Sequence, residues 1–405
     1  MRCPSTLEHR WLLPAMAFVL AFGLVFSASG SGGASTPPRS TSATVYRFGV
    51  VGNRGAIHQL QLDRPTPVAG ISGRVVEIAT SNSDGYALTS SGAVWAWGVA
   101  SDGELGNGAN PAYSTRAVKV EFPAGIRIAS LANPMPFDGA LAIDVNGHVW
   151  GWGLNAYGDL CLSGLIKLHP SELSLSDVTL ATGARTHSLI DSAGKIYACG
   201  SGAYGVLGIG STANSSMPVP VVGLPSRARV TALTSSWEGS GALLSNGAYY
   251  DWGYNAAGQL GNGTTTDSAV PVHVVLPEAV RRVFQGGSGA KNGQSIAILA
   301  NGSVWAWGNN DRGQLGVGTS TSSDLPLRVH VPKGVAFVRI SSGGYASYAI
   351  DRTGRLWAWG DNRSGQLGTT GSTTAMKPVN VGIHLTQVSS TAQNVAGLGH
   401  GTGRS

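Results

Sequence analysis

The sequence predicts an all-β repeat fold, and three observations carry that expectation. A seven-residue frame that begins and ends on Gly, usually closing as Trp-Gly, recurs six times. The closing glycines Gly98, Gly153, Gly200, Gly253, Gly308 and Gly360 stand 55, 47, 53, 55 and 52 residues apart, the period of a propeller blade or solenoid unit. Short apolar runs broken by glycines surround each frame, as in residues 337–360, which divide into three short strands.

Taken in chain order, the first 29 residues differ from the rest. Arg2 and Arg10 lie in a weakly basic start, an apolar stretch runs from Trp11 to Phe26, and small residues follow. That order describes an export signal, cleaved at about position 28–30. Left uncleaved, it would act as a membrane anchor. Cys3 precedes the apolar stretch, so it is not placed for lipid attachment. Residues 30–44 form a Ser/Thr/Gly/Pro linker with no packing face. Residues 45–405 are then expected to be one repeat domain of a secreted or cell-surface protein. Sparse charge, 12% of residues, and 59 glycines suit such a surface. The net charge of +6 is spread without any Lys/Arg run, so no nucleic-acid partner is expected.

Each frame opens on a turn glycine: Gly92, Gly147, Gly194, Gly247, Gly302 or Gly354. Asn-Gly precedes three of the strands, at Asn146-Gly147, Asn246-Gly247 and Asn301-Gly302, which predicts a two-residue hairpin with positive φ at both central positions. The strand after the turn alternates with period two, placing Trp95 and Trp97 on one face and Ala96 on the other. Trp150, Trp152, Trp252, Trp305, Trp307, Trp357 and Trp359 repeat the pattern, so nine of the eleven tryptophans fall in these strands. Recurrence at one position assigns them to packing between blades rather than to a ligand platform. Each indole contributes on the order of 4–6 kcal/mol before entropy losses. Cys199 replaces the second Trp of its frame, and Cys161 replaces a loop glycine. The two either pair in an oxidising compartment or serve as small apolar fillers.

After the Trp-Gly comes a second signature, clearest in Asn309-Asn310-Asp311-Arg312-Gly313-Gln314-Leu315-Gly316, with relatives at residues 254–263 and 361–368. Weaker versions follow Gly98, Gly153 and Gly200. With turn Gly, Trp-Gly and Gln-Leu-Gly all in register, residues 45–405 resemble the regulator of chromosome condensation repeat. The resemblance implies a seven-bladed β-propeller of four-stranded antiparallel blades. A degenerate seventh copy begins the domain at Val45-Tyr46-Arg47-Phe48-Gly49, and residues 385–399 supply strands that would precede its turn. Joined, the two chain ends would share one blade and close the ring, leaving no exposed sheet edge.

Chemistry is sparse. The sequence holds no His-Glu-x-x-His pair, no Gly-x-Ser-x-Gly elbow in a strand-to-helix setting and no set of four metal-binding cysteines. The Asn- and Asp-bearing loops lack the twelve-residue calcium spacing and read as turns. Gly286 to Lys291 lacks the Gly-Lys-Ser/Thr ending of a phosphate loop. His187 reads as a structural hydrogen-bonding residue. No catalytic residue, metal or cofactor is assigned. What varies between repeats is the loop after each Trp-Gly, which strand direction places opposite the hairpin turns. Tyr157, Tyr204, Tyr254, Arg312 and Arg363 on these loops are the candidate binding set, being residue types favoured at interface hot spots. The expected function is that of an exported, monomeric, non-catalytic propeller that binds a protein, with membrane association only through an uncleaved leader. The family resemblance also implies two alternatives: guanine-nucleotide exchange on a small GTPase, and inhibition of a β-lactamase through a loop face. A carbohydrate-active enzyme would instead be marked by carboxylates clustered at the ring mouth.

Overall fold

The computed structural model describes residues 45–398 apart from 52–59, 82–83, 100, 110–112, 137, 227–228, 288–291, 364–366, 368, 370–371, 386 and 391–394. The expected leader and linker, residues 1–44, lie outside the described residues. The fold is an all-β propeller of four-stranded antiparallel blades. Blade one consists of Val75–Thr80, Asp84–Thr89, Val94–Val99 and Tyr113–Lys119, paired in that order. Blades two to six repeat the meander over residues 128–172, 178–220, 230–273, 280–328 and 337–384.

Among the described residues there are six four-stranded sheets rather than the seven expected. Tyr46–Val51 pairs with Leu60–Pro67, Gln387–Ser390 pairs with Val395–Leu398, and these remain two separate two-stranded sheets. Each terminal strand takes its ladder hydrogen bonds from its neighbour in sequence rather than from the other end of the chain. The C-terminal pair packs against the first strands of blades six and one, and Val395–Leu398 also contacts Tyr46–Val51.

The core lies between blades. In every blade the second strand is buried along its whole length, whereas the fourth is largely half-buried or exposed. The second Trp of the frame locks four of the blades to the one before. Trp152, Trp252, Trp307 and Trp359 are fully buried. Their indole N–H groups donate to the carbonyls of Glu104, Val206, Gln259 and Gln314 at 2.8–3.0 Å. Tyr86 and Tyr249 meet the Trp of the next blade edge-on or tilted, with Tyr86–Trp152 at 5.9 Å and Tyr249–Trp307 at 6.1 Å between centroids. The Gly after the Trp has a steric cause: a Cβ on Gly253 or Gly360 would fall 2.6 or 2.3 Å from the carbonyl of Glu238 or Tyr345.

The hairpin turns differ from expectation. In blade five Leu299 N–H donates to Ser303 O and Gly302 N–H to Leu299 O, both at 2.9 Å, so the loop has three residues. Only Gly302 is left-handed; Asn301 keeps negative φ and accepts the Ser303 N–H on its side chain at 2.9 Å. This is a type I turn closed by a left-handed Gly, favoured because the Asn side chain satisfies the backbone without entering the left-handed region. The two-residue form occurs at Ala193-Gly194, where φ is 51° and 79° and Ser192 faces Lys195.

Cys161 and Cys199 form a disulfide, with Cα atoms 5.3 Å apart. The bridge stands where other blades place a Gly against an indole. Gly106, Gly208, Gly261 and Gly316 are left-handed and abut Trp152, Trp252, Trp307 and Trp359. Cys161 takes the same left-handed conformation, φ 55°, and bonds to the residue that replaces the Trp. Among the described residues no helix is long and apolar enough to cross a membrane.

Candidate functional site

In a four-stranded meander the loop joining strands one and two and the loop joining strands three and four emerge at the same end. The variable loops after each Trp-Gly therefore share a face with a second set, the described residues of 81–83, 132–138, 184–186, 236–238, 287–293 and 343–345.

The scaffold of this face is built from residues the repeat holds in common. Asn310 accepts the Leu315 N–H at 2.9 Å and donates to the carbonyls of Thr319 and Thr321, each at 2.9 Å. Asn155, Asn255 and Asn362 accept the corresponding Leu N–H and tie down the same loop. Gln259 and Gln314 each accept a backbone N–H two residues before them, from Ala257 and Arg312. Glu104 fills the same slot in blade one and accepts the N–H of Asp102 at 2.8 Å. These bonds account for the Asn-rich loops as turn chemistry.

Carboxylates do gather here, around Glu104, Asp138 and Asp159, but Glu104 and Asp159 are buried in the loop slots rather than open to the mouth. Burial pushes both carboxyls up to about 7 against their backbone hydrogen bonds, with Asp138 adding repulsion. His187 is buried as well. Its Nε2 lies 2.8 Å from Ser240 Oγ in blade four, and burial lowers its pKa to about 4. It acts as an interblade tie.

The five candidate binding residues stand on loops of blades two to six. Tyr157 and Tyr204 are exposed, Tyr254 and Arg312 half-buried. Tyr204 and Tyr254 meet edge to face, 4.8 Å between centroids. Arg363 is exposed yet committed: its Nε and Nη2 donate to the two oxygens of buried Asp361 at 2.8 and 2.9 Å. Tyr204 and Tyr254 are thus the pair that the fold brings together.

Sequence reasoning missed the residues that complete this pair. Trp237 and Glu238, on the loop between the first two strands of blade four, line a groove with Ser236, Tyr254, Gln259 and Gly293. The Arg185 guanidinium from blade three lies over the Trp237 ring, 4.1 Å from its centroid. Burial raises the Glu238 carboxyl to about 7, opposed by the charge of Arg185 and reinforced by Asp267. One signal was available: Trp237 is the tryptophan beyond the leader that stands outside the Trp-Gly strands.

Fold and face together define a repeat propeller with a structural framework and one variable rim. The family model for the regulator of chromosome condensation (RCC1) repeat matches residues 193–243, 246–290, 301–350 and 353–401. Each match begins at or next to a hairpin turn, so the sequence repeat straddles two blades. The chain is 30% identical over 287 residues to the ultraviolet-B receptor UVR8 of Arabidopsis thaliana, covering 69% of this chain and 64% of the receptor. It is 28% identical over 299 residues to the human E3 ubiquitin-protein ligase HERC2, covering 70% of this chain but 6% of the ligase. Among solved structures, human WBSCR16 superposes with a TM-score of 0.75 at 20% identity, covering 94% of this chain and 99% of that one. Prp20p of Saccharomyces cerevisiae superposes with a TM-score of 0.70 at 18% identity, covering 95% and 92%. The chain carries repeats of the regulator of chromosome condensation family over residues 193–401.

Proposed function

We propose that this protein is an exported, non-catalytic propeller that binds a protein partner through the rim carrying Tyr157, Tyr204, Tyr254, Arg312 and Arg363. The observation that carries the proposal is the division of labour on that rim. Asn and Gln side chains and the Trp-Gly indoles are spent on the framework, while Tyr204 meets Tyr254 edge to face and Tyr254 lines a groove with Trp237. Partly exposed aromatics on a rigid frame are the usual anchors of protein interfaces. The disulfide supports export, because such bonds persist in oxidising compartments. The relatives' names mark a receptor and a ubiquitin ligase, and those activities stay with those proteins. What is carried over is the propeller as a binding module.

The finer architecture is part of the same proposal: the N-terminal and C-terminal strand pairs act as one composite seventh blade. The contact between Tyr46–Val51 and Val395–Leu398 and the seating of the C-terminal pair between blades six and one support it.

The test uses the mature chain as bait in its own extracellular medium or cell envelope. Wild type is expected to retain a protein that a folded Tyr204→Ala/Tyr254→Ala variant does not. A bound glycan with no protein, retention of the chain in the cytosol, or accelerated nucleotide release from a purified small GTPase would each overturn the assignment.

A further inference from the structure

We propose that the hairpin end of blades five and six docks on the anionic headgroups of a phospholipid surface, leaving the variable rim to face away from it. The proposal goes beyond the rim reading and stands apart from it.

A meander returns each fourth strand to the end that carries the hairpin between strands two and three, so the hairpins and the connections between blades share one end. The two sets are bonded there. Val280 N–H donates to Gly247 O, Ala300 N–H to Ala279 O and Arg352 N–H to Ala336 O, at 2.8–3.0 Å.

At this end blades five and six gather charge that the sequence scatters. Arg281, Arg282, Lys333, Arg339, Arg352 and Arg355 are all exposed. None of the six side chains enters an ion pair or hydrogen bond among the described residues. Against them the same stretches, residues 274–283, 300–303, 329–340 and 352–355, hold Glu278 as their one acid. Asp351 beside them is buried and held by its own donors. Arg282 and Arg339 each follow the bulge in the first strand of adjacent blades, and those two strands pack together. Burial, and next the charge of Arg282, lower the Arg339 pKa, and no carboxylate offsets them.

The field is local. At the rim end of the same two blades Asp311, Asp324 and Asp361 stand against Arg312, Arg363 and Lys377, with Lys291 outside the described residues. The segments flanking the described residues bring no acidic side chain: residues 30–44 hold Arg39, and residues 399–405 hold His400 and Arg404.

The surroundings select lipid among the polyanions that such a field attracts. Val45 O accepts the Val68 N–H just as Val94 and Val304 accept those of Val120 and Val329, so the chain enters the propeller past a hairpin position, at this same end. Before Val45 lie the apolar stretch from Trp11 to Phe26 and the linker of residues 30–44. A retained leader would therefore tether this end, and not the rim, to a bilayer. Val275 and Val338 are exposed in the same stretches, 73% and 36%, as suits the boundary between headgroups and acyl chains. A single-stranded nucleic acid would find no ring to stack on, because among the described residues the exposed aromatics, Tyr157 and Tyr204, are both on the rim.

The test sediments the mature chain with vesicles of phosphatidylcholine, with and without phosphatidylglycerol. Loss of the leader removes no described residue. Binding is expected only with phosphatidylglycerol, and should vanish between about 0.1 M and about 1 M salt as the screening length falls from about 10 Å to about 3 Å. Arg282→Gln/Arg339→Gln should weaken it about tenfold or more, each cation near such a surface contributing about fivefold. Arg116→Gln/Lys377→Gln, an equal loss of charge at exposed positions on the outer fourth strands, should change it by no more than about twofold. Melting temperatures check that the variants fold, and Arg281→Gln/Lys333→Gln replaces the first pair should it fail to. No binding to phosphatidylglycerol vesicles, equal binding to phosphatidylcholine alone, or equal weakening by both pairs would each sink the proposal. Binding of polyglutamate by a chain that ignores vesicles would sink it too, and would make this face a site for an acidic protein. None of these outcomes touches the rim reading, since no rim residue is altered.

Discussion

Glu104 and Gln314 perform the same task with different consequences. Each accepts a backbone N–H two residues earlier, in a slot closed to water. An amide does so without charge, whereas a carboxylate is desolvated. The Glu104 pKa of about 7 lies above its ordinary 4.5, so the folded state holds a proton that the unfolded state releases between those values. The contribution is most favourable below pH 4.5 and is lost as pH rises to about 7. Glu104→Gln is therefore expected to stabilise the protein at pH 8 by on the order of 2–3 kcal/mol and to change little at pH 4. Urea unfolding at the two pH values checks it; equal midpoint shifts at both would refute the assignment. Asp351 and Asp144 show the opposite case. Burial disfavours their charge, but Asp351 accepts the N–H groups of Thr353 and Arg355, the Thr353 hydroxyl and the Trp357 indole, and its pKa is lowered. Asp144 likewise accepts from His148, Trp150 and Asn146 and is lowered. Their stabilisation is present above the ordinary carboxylate range and is lost in acid as they protonate. Asp351→Asn should thus flatten the acid side of the stability curve, measurable as a smaller fall in melting temperature between pH 5 and pH 2.

At the level of the element, the contact between adjacent blades comes in two chemical forms. Four times it is a left-handed Gly against the indole of the next blade; once it is Cys161 bonded to Cys199. The two replacements make sense only together. A Trp at 199 would strike the Cβ of residue 161, since a Cβ at the equivalent glycines would lie 2.7–2.8 Å from the indole. Cys161→Gly/Cys199→Trp is expected to restore the common contact and fold, with a melting temperature unaffected by reductant. Cys199→Trp alone should destabilise by about 1–3 kcal/mol through overpacking. Differential scanning calorimetry with and without dithiothreitol decides; additive single and double effects would refute the coupling.

For the whole molecule the open matter is closure. Blade one and blade six would expose their inner neighbours unless something stands between them, and the C-terminal strand pair does so. If Tyr46–Val51 completes that unit, removing residues 45–49 should lower the melting temperature sharply; an unchanged melting curve would end the closure model.

Much of this was legible from the chain. Gly302 and Gly308 mark the turn and the close backbone approach, and Trp307 between them reads as core because it recurs. Such features depend on local φ/ψ and on period, which sequence carries directly. The Asn-Gly turns were misjudged, because whether Asn301 turns left-handed or caps Ser303 is decided by the loop length that strand register allows. The site was half legible. Tyr204 and Tyr254 were visible as loop residues, but their 50-residue separation concealed that they touch. Glu238 and Arg185 carried no pattern at all.

The sequence by itself determined the repeating strand unit, the place of its turn and its Trp-Gly close, since each is a short-range preference repeated until it is unmistakable. Tertiary structure alone decided that Cys161 meets Cys199, that Tyr254, Trp237 and Glu238 share a groove, and that Tyr204 stands against Tyr254. Those neighbours come from different blades or different loops, and only the stacking of sheets fixes the distances between them.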